Sequence, residues 1–382
     1  DTPIGLVDLI GRMLQKDPSD RIGSIRLVGA ELENLLAKQV GDAPVMPRIT
    51  TETPRPIAIR HNLPADTTPF VGRDPELIEL HRLVTSSKIR LVTIVAPGGM
   101  GKTRLALELG HQFAGLSHET DLHSEQRIYW QHGVFFVALA PLHNPDDIIG
   151  AIGNAVGYTF QTGEDNKAQL QTFLSDKHLL LILDNFEHLL AGATLVDDLL
   201  THAPNIKIIV TSRVRLNLTS ENLFTLEGMD FPDWETPEDA LTYSAVKLFM
   251  QSAVRARPDF ELHPEHLAYV ARICRLVDGL PLAILLAASW IEMLSPQEIA
   301  DEISKSLDFL QSNMRDLPER HQSIRAVFDY SWNLLDATER IAFMNLAIFS
   351  GGFTREAAQK AVGASLRVLT GLVNASLIRR SP

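Results

Sequence analysis

Apolar residues fall into short runs along the middle of the chain, between about residues 70 and 230. Four runs are apolar at almost every position: Leu91–Val95, Val134–Leu139, Leu179–Leu183 and Ile206–Val210. A run that is apolar on both faces is typical of a strand buried inside a parallel sheet. The intervals between the runs leave room for crossover helices. The pattern therefore predicts an α/β fold whose parallel sheet is covered on both sides.

Helical spacing replaces the strand pattern after about residue 237. The apolar positions predict helices at Ala240–Arg255, Pro264–Leu276 and Leu280–Leu294. Residues 320–382 also have mostly helical spacing, interrupted by Ser350-Gly351-Gly352. We therefore expect a helical region to follow the sheet.

The N-terminal part of the chain has a different character. Residues 5–38 predict two short helices separated around Pro18, since proline breaks a helix interior. Residues 40–69 lack apolar periodicity and contain Pro44, Pro47, Pro54, Pro56, Pro64 and Pro69, which indicates an extended linker. The chain opens at Asp1 rather than at Met, and we expect it to be a piece of a longer protein.

Composition narrows the classes of protein that fit. The 382 residues are 45% hydrophobic and 21% charged, which excludes wholesale disorder and favours two or three globular domains. The net charge of −12 excludes a chain-wide basic surface for nucleic acid. A single cysteine, Cys274, excludes an internal disulfide and fits a reducing compartment. No apolar run reaches the ~18–20 residues of a membrane span, so we expect a cytoplasmic location.

The strongest chemical signal is Ala96-Pro97-Gly98-Gly99-Met100-Gly101-Lys102-Thr103, between a predicted strand and a predicted helix. Glycines let successive backbone N–H groups curl around a polyphosphate, and the helix adds the positive end of its dipole. We expect Lys102 to reach the β- and γ-phosphates and Thr103 to ligate Mg²⁺. The usual first glycine of such a loop is replaced by Ala96.

Two further strand ends carry polar residues that match a nucleotide site. The apolar run Leu179–Leu183 ends in Asp184, a carboxylate positioned to hold Mg²⁺ beside the phosphate loop. Arg213 follows the next strand and could sense a γ-phosphate as a bidentate donor. These features predict a site that binds ATP or ADP with Mg²⁺.

Five segments occur in an order that resembles the STAND class of signal-transduction ATPases, in the NB-ARC-like branch found in multidomain bacterial regulators. They are Phe70-Val71-Gly72-Arg73, Gly98–Thr103, Leu183–His188, Thr211-Ser212-Arg213 and Gly279-Leu280-Pro281-Leu282-Ala283. The resemblance covers about residues 67–382. It implies a P-loop nucleotide-binding domain at 67–232, a helical domain at 233–312 and a truncated winged-helix-like domain at 313–382, after a linker at 39–66.

The resemblance also implies roles for individual residues. Val71, Gly72 and Arg73 would lie along the adenine, and Pro281 would pack on it from the helical domain. The expected phosphate-binding residues are Pro97, Gly98, Gly99, Met100, Gly101, Lys102, Thr103 and Arg104. Many relatives carry a second acidic residue where this chain has Asn185. Glu187 is the nearest carboxylate and the candidate base, and we expect hydrolysis to be slow, with Lys102, Asp184 and Arg213 contributing.

The family's winged-helix domain ends near a Met-His-Asp motif whose histidine contacts the β-phosphate of ADP. The chain stops at Pro382 before any such motif, so we expect this domain to be incomplete. Because the expected nucleotide contacts lie on two domains, we expect ADP to hold the domains closed and ATP with Mg²⁺ to let them rotate apart. We therefore expect a nucleotide switch that self-associates on activation and acts on effector or sensor domains of the same parent chain.

Residues 1–38 have a resemblance of their own. The segment Leu9–Arg21 resembles the last helices of a Ser/Thr protein kinase domain. The glycine-rich loop and the catalytic and metal-binding aspartates of a kinase are absent from the sequence. This resemblance implies a parent chain in which a kinase precedes the ATPase.

Two other functions remain open at this stage. A winged-helix regulator could bind DNA, although residues 315–382 hold nine Lys/Arg against six Asp/Glu and no strongly basic helix. Alternatively, Ala96 and Asn185 could mark a degenerate ATPase that holds nucleotide only to stabilise its fold.

Overall fold

A computed structural model describes residues 59–115, 130–232, 237–311, 322–349 and 352–378. The described residues all belong to one folding unit, 58–382. The predicted kinase remnant lies outside the described residues.

Five parallel strands form the central sheet. They are β1 (Leu91–Val95), β2 (Gly133–Ala138), β3 (Leu179–Asp184), β4 (Lys207–Ser212) and β5 (Glu221–Thr225), arranged in the order β2-β3-β4-β1-β5. In this register Leu91 of β1 lies opposite Ile208 of β4 and Glu221 of β5. The carboxyl ends of β1, β3 and β4 therefore meet at one edge of the sheet, where a nucleotide site is built in folds of this class.

Alternate side chains of each central strand enter different cores. Leu179, Leu181 and Leu183 of β3 belong to the apolar cluster on one face of the sheet. Leu180 and Ile182 belong to the cluster on the other face. Both faces are therefore buried, as the continuous apolar runs predict.

Five helices accompany the sheet: α1 (Asp74–Thr85), α2 (Lys102–Ala114), α3 (Asp147–Val156), α4 (Asn166–Leu174) and α5 (Ala193–His202). The predicted α/β class with a parallel sheet is confirmed. Strand β5 was not predicted, because Phe224 is its only buried residue and the strand therefore has no continuous apolar run.

Residues 60–62, which the proline spacing placed in the linker, pack instead against the free edge of β2. The Val134 N–H donates to the Arg60 carbonyl at 2.9 Å, and His61 forms a parallel bridge with Val134. The Asn62 side chain accepts from the Phe136 N–H at 2.6 Å and donates to the Phe136 carbonyl at 2.8 Å. We call residues 60–62 the edge strap.

The helical region begins with α6 (Ser244–Ala256), α7 (Pro264–Leu276), α8 (Pro281–Ser289) and α9 (Pro296–Lys305). Two predicted helices are shorter than expected. A 3₁₀ segment at Pro237–Thr242 and the extended Tyr243 precede α6, and a 3₁₀ turn at Trp290–Glu292 follows α8. The predicted bounds of α7 are confirmed.

Four more helices follow: α10 (Ile324–Asn333), α11 (Ala337–Leu346), α12 (Arg355–Val362) and α13 (Leu366–Asn374). They share an apolar cluster that includes Leu346, Leu372 and Val214 from the end of β4. The described part of residues 322–378 contains no strand, so a wing is not among the described elements. The winged-helix assignment stays a prediction.

Among the described residues, no helix combines the length and the apolar character that a membrane crossing requires.

Candidate nucleotide site

The loop between β1 and α2 has the conformation that the glycine pattern predicts. Gly99 and Gly101 have φ values of 79° and 85°, in the left-handed region that favours glycine. The Lys102 ammonium lies over the loop and donates to the carbonyls of Ala96 at 2.8 Å and Pro97 at 2.9 Å. This cation is thus held at the start of α2, where the backbone N–H groups of a helix N-terminus also point.

Asp184 lies beside this loop and accepts two hydroxyl hydrogen bonds through Oδ1. Thr103 Oγ1 donates at 2.5 Å and Thr211 Oγ1 at 2.6 Å. The carboxylate is only 8% exposed, and burial raises its pKa above the ordinary value against the opposing effect of the two hydroxyls. A buried carboxylate with a raised pKa is a group to which a bound cation would restore full charge.

These residues fit Mg²⁺ by their chemistry. Mg²⁺ prefers oxygen ligands and is held by one or two protein oxygens together with substrate phosphates. The Thr103 hydroxyl and the Asp184 carboxylate supply two such oxygens within hydrogen-bond distance of each other, next to the phosphate loop. A bound Mg²⁺ would neutralise phosphate charge there.

Arg213 and Glu187 form an ion pair at the end of β4. Their side chains are 3% and 2% exposed, and Arg213 Nε lies 3.2 Å from Glu187 Oε1. Glu187 Oε2 also accepts from the Arg213 backbone N–H at 3.3 Å. The candidate base and the candidate phosphate sensor therefore hold each other in this conformation.

Arg213 also joins the sheet to α10. Its Nη1 donates to the Val327 carbonyl at 2.9 Å and to Ser331 Oγ at 2.8 Å, and its guanidinium lies 4.3 Å from the centre of the Tyr330 ring. A Cβ at position 98 would lie 2.6 Å from Val327 Cγ1 and 2.7 Å from Arg213 Cζ. Helix α10 and Arg213 thus pack directly on the phosphate loop. We call these contacts the Arg213 clamp.

Asn185 occupies the position after Asp184 with a left-handed φ of 66°. Its N–H donates to Thr211 Oγ1 at 3.0 Å, and its side-chain amide lies 3.2 Å from His188 Nδ1. An amide cannot accept a proton as a general base does, so Asn185 cannot take that role, and slow hydrolysis stays a prediction.

Arg73 and Arg104, both predicted to bind nucleotide, direct their guanidinium groups to protein partners. Arg73 pairs with Glu76 at 2.5 Å and donates to the Glu227 carbonyl at 2.6 Å. Arg104 pairs with Asp66 at 2.7 Å and donates to the Thr68 carbonyl. These contacts hold the 66–73 segment against α2 and against the chain segment that follows β5.

A cavity of about 360 Å³ lies between the phosphate loop, Glu187, Arg213 and the helical region. That volume lies within the range of small-molecule sites. The predicted residues that line it are Val71, Arg73, Gly98, Gly99, Met100, Gly101, Lys102, Thr103, Arg104, Glu187, Arg213 and Pro281. The remaining predicted residues contact residues of the wall. A Cβ at Gly72 would meet Met229, the Pro97 carbonyl accepts from Lys102, and Asp184 accepts from Thr103 and Thr211.

The helical region supplies wall residues that the sequence did not predict: Leu248, Gln251, Arg255, Leu282 and Leu285. Met229, in the segment just beyond β5, is a further one. Leu282 and Leu285 could have been predicted, since both lie on the helix that begins at the predicted site residue Pro281. Leu248, Gln251 and Arg255 recur at helical spacing, but only tertiary packing reveals that this face of α6 meets the cavity.

A parallel sheet, a glycine loop leading into a helix and an acidic strand end beside that loop define a P-loop NTPase. Comparison with known proteins agrees, because residues 86–218 match the AAA domain family.

An uncharacterized protein of Mycobacterium tuberculosis is 34% identical over 313 residues, covering 82% of this chain and 73% of that protein. The chain belongs to the same family, a family of P-loop proteins with an AAA domain. A provisionally named HTH-type transcriptional regulator of M. tuberculosis is 36% identical over 297 residues, covering 76% of this chain. The chain spans only 31% of that longer relative.

Among solved structures, a STAND protein with a tetratricopeptide repeat sensor from Pyrococcus horikoshii is 17% identical, with a TM-score of 0.36. The match covers 83% of this chain and 40% of that protein.

Proposed function

We propose that this chain is an adenine-nucleotide switch of the STAND type, with a slow Mg²⁺-dependent ATPase activity. The observation that carries the proposal is the Arg213 clamp, in which one buried arginine belongs to both the nucleotide site and the C-terminal helices. ADP would be held in the closed arrangement, and ATP would favour an open one.

The walls of the cavity support a switch because they come from two parts of the chain. The sheet region contributes the phosphate loop, Glu187 and Arg213, and the helical region contributes Pro281, Leu282 and the α6 face. A nucleotide that contacts both parts binds differently when they move relative to each other. Such differential binding is what allows a ligand to shift a conformational equilibrium.

Competition for Arg213 would distinguish ATP from ADP. In the closed arrangement its guanidinium donates to Val327 and Ser331, with Glu187 as counter-ion. A γ-phosphate next to Gly98 would offer the same guanidinium a more strongly charged acceptor. ADP has no group there, so it would leave the clamp intact.

In the closed arrangement, the same contacts would keep hydrolysis slow. Glu187 is the candidate base, but Arg213 occupies both of its carboxylate oxygens. Lys102, Thr103 and Asp184 would hold the nucleotide and its metal without a free base to orient water. Opening the clamp would release Glu187 together with Arg213.

The first experiment is to identify the nucleotide that co-purifies with the chain, with Lys102→Ala as the control. We expect stoichiometric ADP in the wild type and little or none in the variant. A wild-type protein that carries no nucleotide and binds neither ADP nor ATP on titration would overturn the proposal. Rapid turnover with free ADP release would leave an ordinary ATPase and reject the switch.

In the whole protein, the switch would control domains that lie elsewhere in the same chain. The sequence of residues 9–21 favours a parent chain with a preceding kinase domain, and we propose self-association on activation in a cytoplasmic regulator. The name of the longer mycobacterial relative favours a second possibility, control of DNA binding. Duplex DNA affinity that falls steeply with salt would support that second function.

A further inference from the structure

Helix α6 presents polar groups to the cavity for which the proposed switch has no role. Leu248, Gln251 and Arg255 are separated by three and four residues, so they lie on one face of the helix, and all three line the cavity. Gln251 is half-buried and Arg255 is exposed. This face spans about 10 Å along the helix axis, a length comparable to that of a nucleoside.

The hydrogen-bonding capacity of this face is largely unused. The other arginines of the wall already have carboxylate partners: Arg73 with Glu76, Arg104 with Asp66 and Arg213 with Glu187. In the part of the chain that the structure describes, Arg255 pairs with no carboxylate and contacts Ser252 Oγ at 3.5 Å. The Gln251 amide likewise has no hydrogen-bond partner among the described residues.

The start of α6 lies beside Val71 and Gly72, the residues expected along the adenine, rather than beside the phosphate loop. A Cβ at Gly72 would lie 2.4 Å from Ser244 Cβ at the start of α6, and Leu248 packs in the same apolar cluster as Val71. The phosphate loop meets other helices. The Leu282 N–H of α8 donates to the Gly99 carbonyl at 3.2 Å, and Val327 of α10 packs on Gly98.

We propose that α6 recognises the nucleoside. Leu248 covers the purine, and Gln251 and Arg255 form hydrogen bonds with polar atoms of the nucleoside. Arg255 offers only donors, which match the ring nitrogens of a purine or the ribose oxygens. Gln251 offers a donor and an acceptor, which match an edge that carries both, as adenine does. This inference rests on the proposed nucleotide switch and adds specificity residues to it.

The test compares two ligands that share the phosphate half of the site. ADP and inorganic pyrophosphate, each with Mg²⁺, are titrated against the full chain by competition with a fluorescent ADP analogue. The variants are Gln251→Ala and Arg255→Ala. Lys247→Ala is the matched control, since Lys247 is an exposed cation of the same helix outside the cavity wall. Melting of the ligand-free proteins checks that each variant folds.

We expect Arg255→Ala and Gln251→Ala each to weaken ADP about five- to tenfold, the effect of one lost hydrogen bond, while pyrophosphate affinity stays unchanged. An equal loss for both ligands would assign these residues to phosphate and overturn the inference. Unchanged ADP affinity in both variants would also overturn it, while leaving the switch intact. Wild-type protein that fails to bind ADP would overturn the proposed function and, with it, this inference.

Discussion

The buried carboxylate of Asp184 lowers the stability of the ligand-free protein but is suited to bind a cation. It is held between two threonine hydroxyls at the end of β3, and burial raises its pKa. Since the folded state disfavours the charged form, the carboxylate destabilises the ligand-free protein at neutral pH. A bound cation would remove that penalty, which couples Mg²⁺ binding to stability.

Asp184→Asn should therefore raise the melting temperature of the ligand-free protein at pH 7 while abolishing Mg²⁺-dependent ATP binding. The folded-state pKa is raised, so the wild type loses stability as pH rises from the ordinary carboxyl pKa through the raised one. The advantage of the variant should consequently shrink as pH falls toward the ordinary value. Calorimetry of both proteins across this range measures it, and a pH-independent difference would contradict the prediction.

The buried Arg213–Glu187 ion pair should contribute to the stability of the protein. Arg213→Ala leaves Glu187 charged and buried, and removing one partner of a buried ion pair costs about 3–5 kcal/mol. The double variant Arg213→Gln/Glu187→Gln should be less destabilised than Arg213→Ala, because no charge remains unpaired. Urea unfolding of the two variants compares them, and equal losses would show that the pair contributes through packing alone.

The sequence predicts single residues well where a local motif fixes their position. Lys102, Thr103 and Asp184 lie where the phosphate-loop pattern and the strand end indicate. The partners of Arg213 could not be predicted, because Val327 and Ser331 are more than a hundred positions away along the chain. Arg73 and Arg104 were predicted at the site, and both also form ion pairs within the protein. The Arg73–Glu76 pair spans only three positions, whereas the Arg104–Asp66 pair joins residues 38 positions apart and depends on a tertiary contact that the motif does not reveal.

At the scale of elements, a tight crossing fixes the helical region to the sheet. The Met229 N–H, just beyond β5, donates to the Gly279 carbonyl at 2.8 Å, just before α8. Asp278 and Gly279 both have left-handed φ values, 49° and 63°. A Cβ at Gly279 would lie 2.1 Å from the Met229 carbonyl oxygen. The crossing therefore requires glycine for its conformation and for its lack of a side chain.

Gly279→Ala should destabilise the protein by about 2 kcal/mol or more, from the left-handed backbone and the displaced Met229 segment. Gly363→Ala is the matched control, since Gly363 has a φ of 70° but nothing within 4 Å of an added Cβ. Denaturant unfolding should show a clearly larger loss for Gly279→Ala. Equal losses would mean that backbone conformation alone decides the effect.

Element prediction succeeded where an apolar run was continuous and failed where it was not. Strands β1 to β4 and α7 follow from their runs, because most residues of these strands are buried. Strand β5 was missed because only Phe224 of its five residues is buried, so the strand has no continuous apolar run. The start of α6 was set by the extended Tyr243, which helical spacing does not register.

Across the whole molecule, the Arg213 clamp makes the phosphate site sensitive to the position of α10. Val327 packs on Gly98 and Ser331 accepts from Arg213, so movement of α10 changes both the shape and the charge of the site. The Ser376 hydroxyl adds a bond to the Arg213 carbonyl at 2.7 Å from beyond α13. Residues far apart in the sequence thus all contact Arg213, beside the expected position of the γ-phosphate.

Ser331→Ala should shift nucleotide preference toward ATP, because it removes one acceptor that holds Arg213 away from a γ-phosphate. We expect the ratio of ATP to ADP affinity to rise roughly fivefold or more, the effect of one hydrogen bond to a charged group. Asp329→Ala on the exposed side of the same helix is the control. Isothermal titration measures both affinities, and an unchanged ratio in Ser331→Ala would contradict the clamp as a discriminator.

The edge strap has a practical consequence for anyone who expresses part of this protein. A start at residue 67, which the proline pattern favours, would delete Arg60, His61 and Asn62 and leave the backbone of β2 open along its outer side. An uncovered strand of this kind is a template for pairing with a neighbouring molecule. We expect a product starting at residue 67 to aggregate and one starting at residue 58 to stay monodisperse in light scattering.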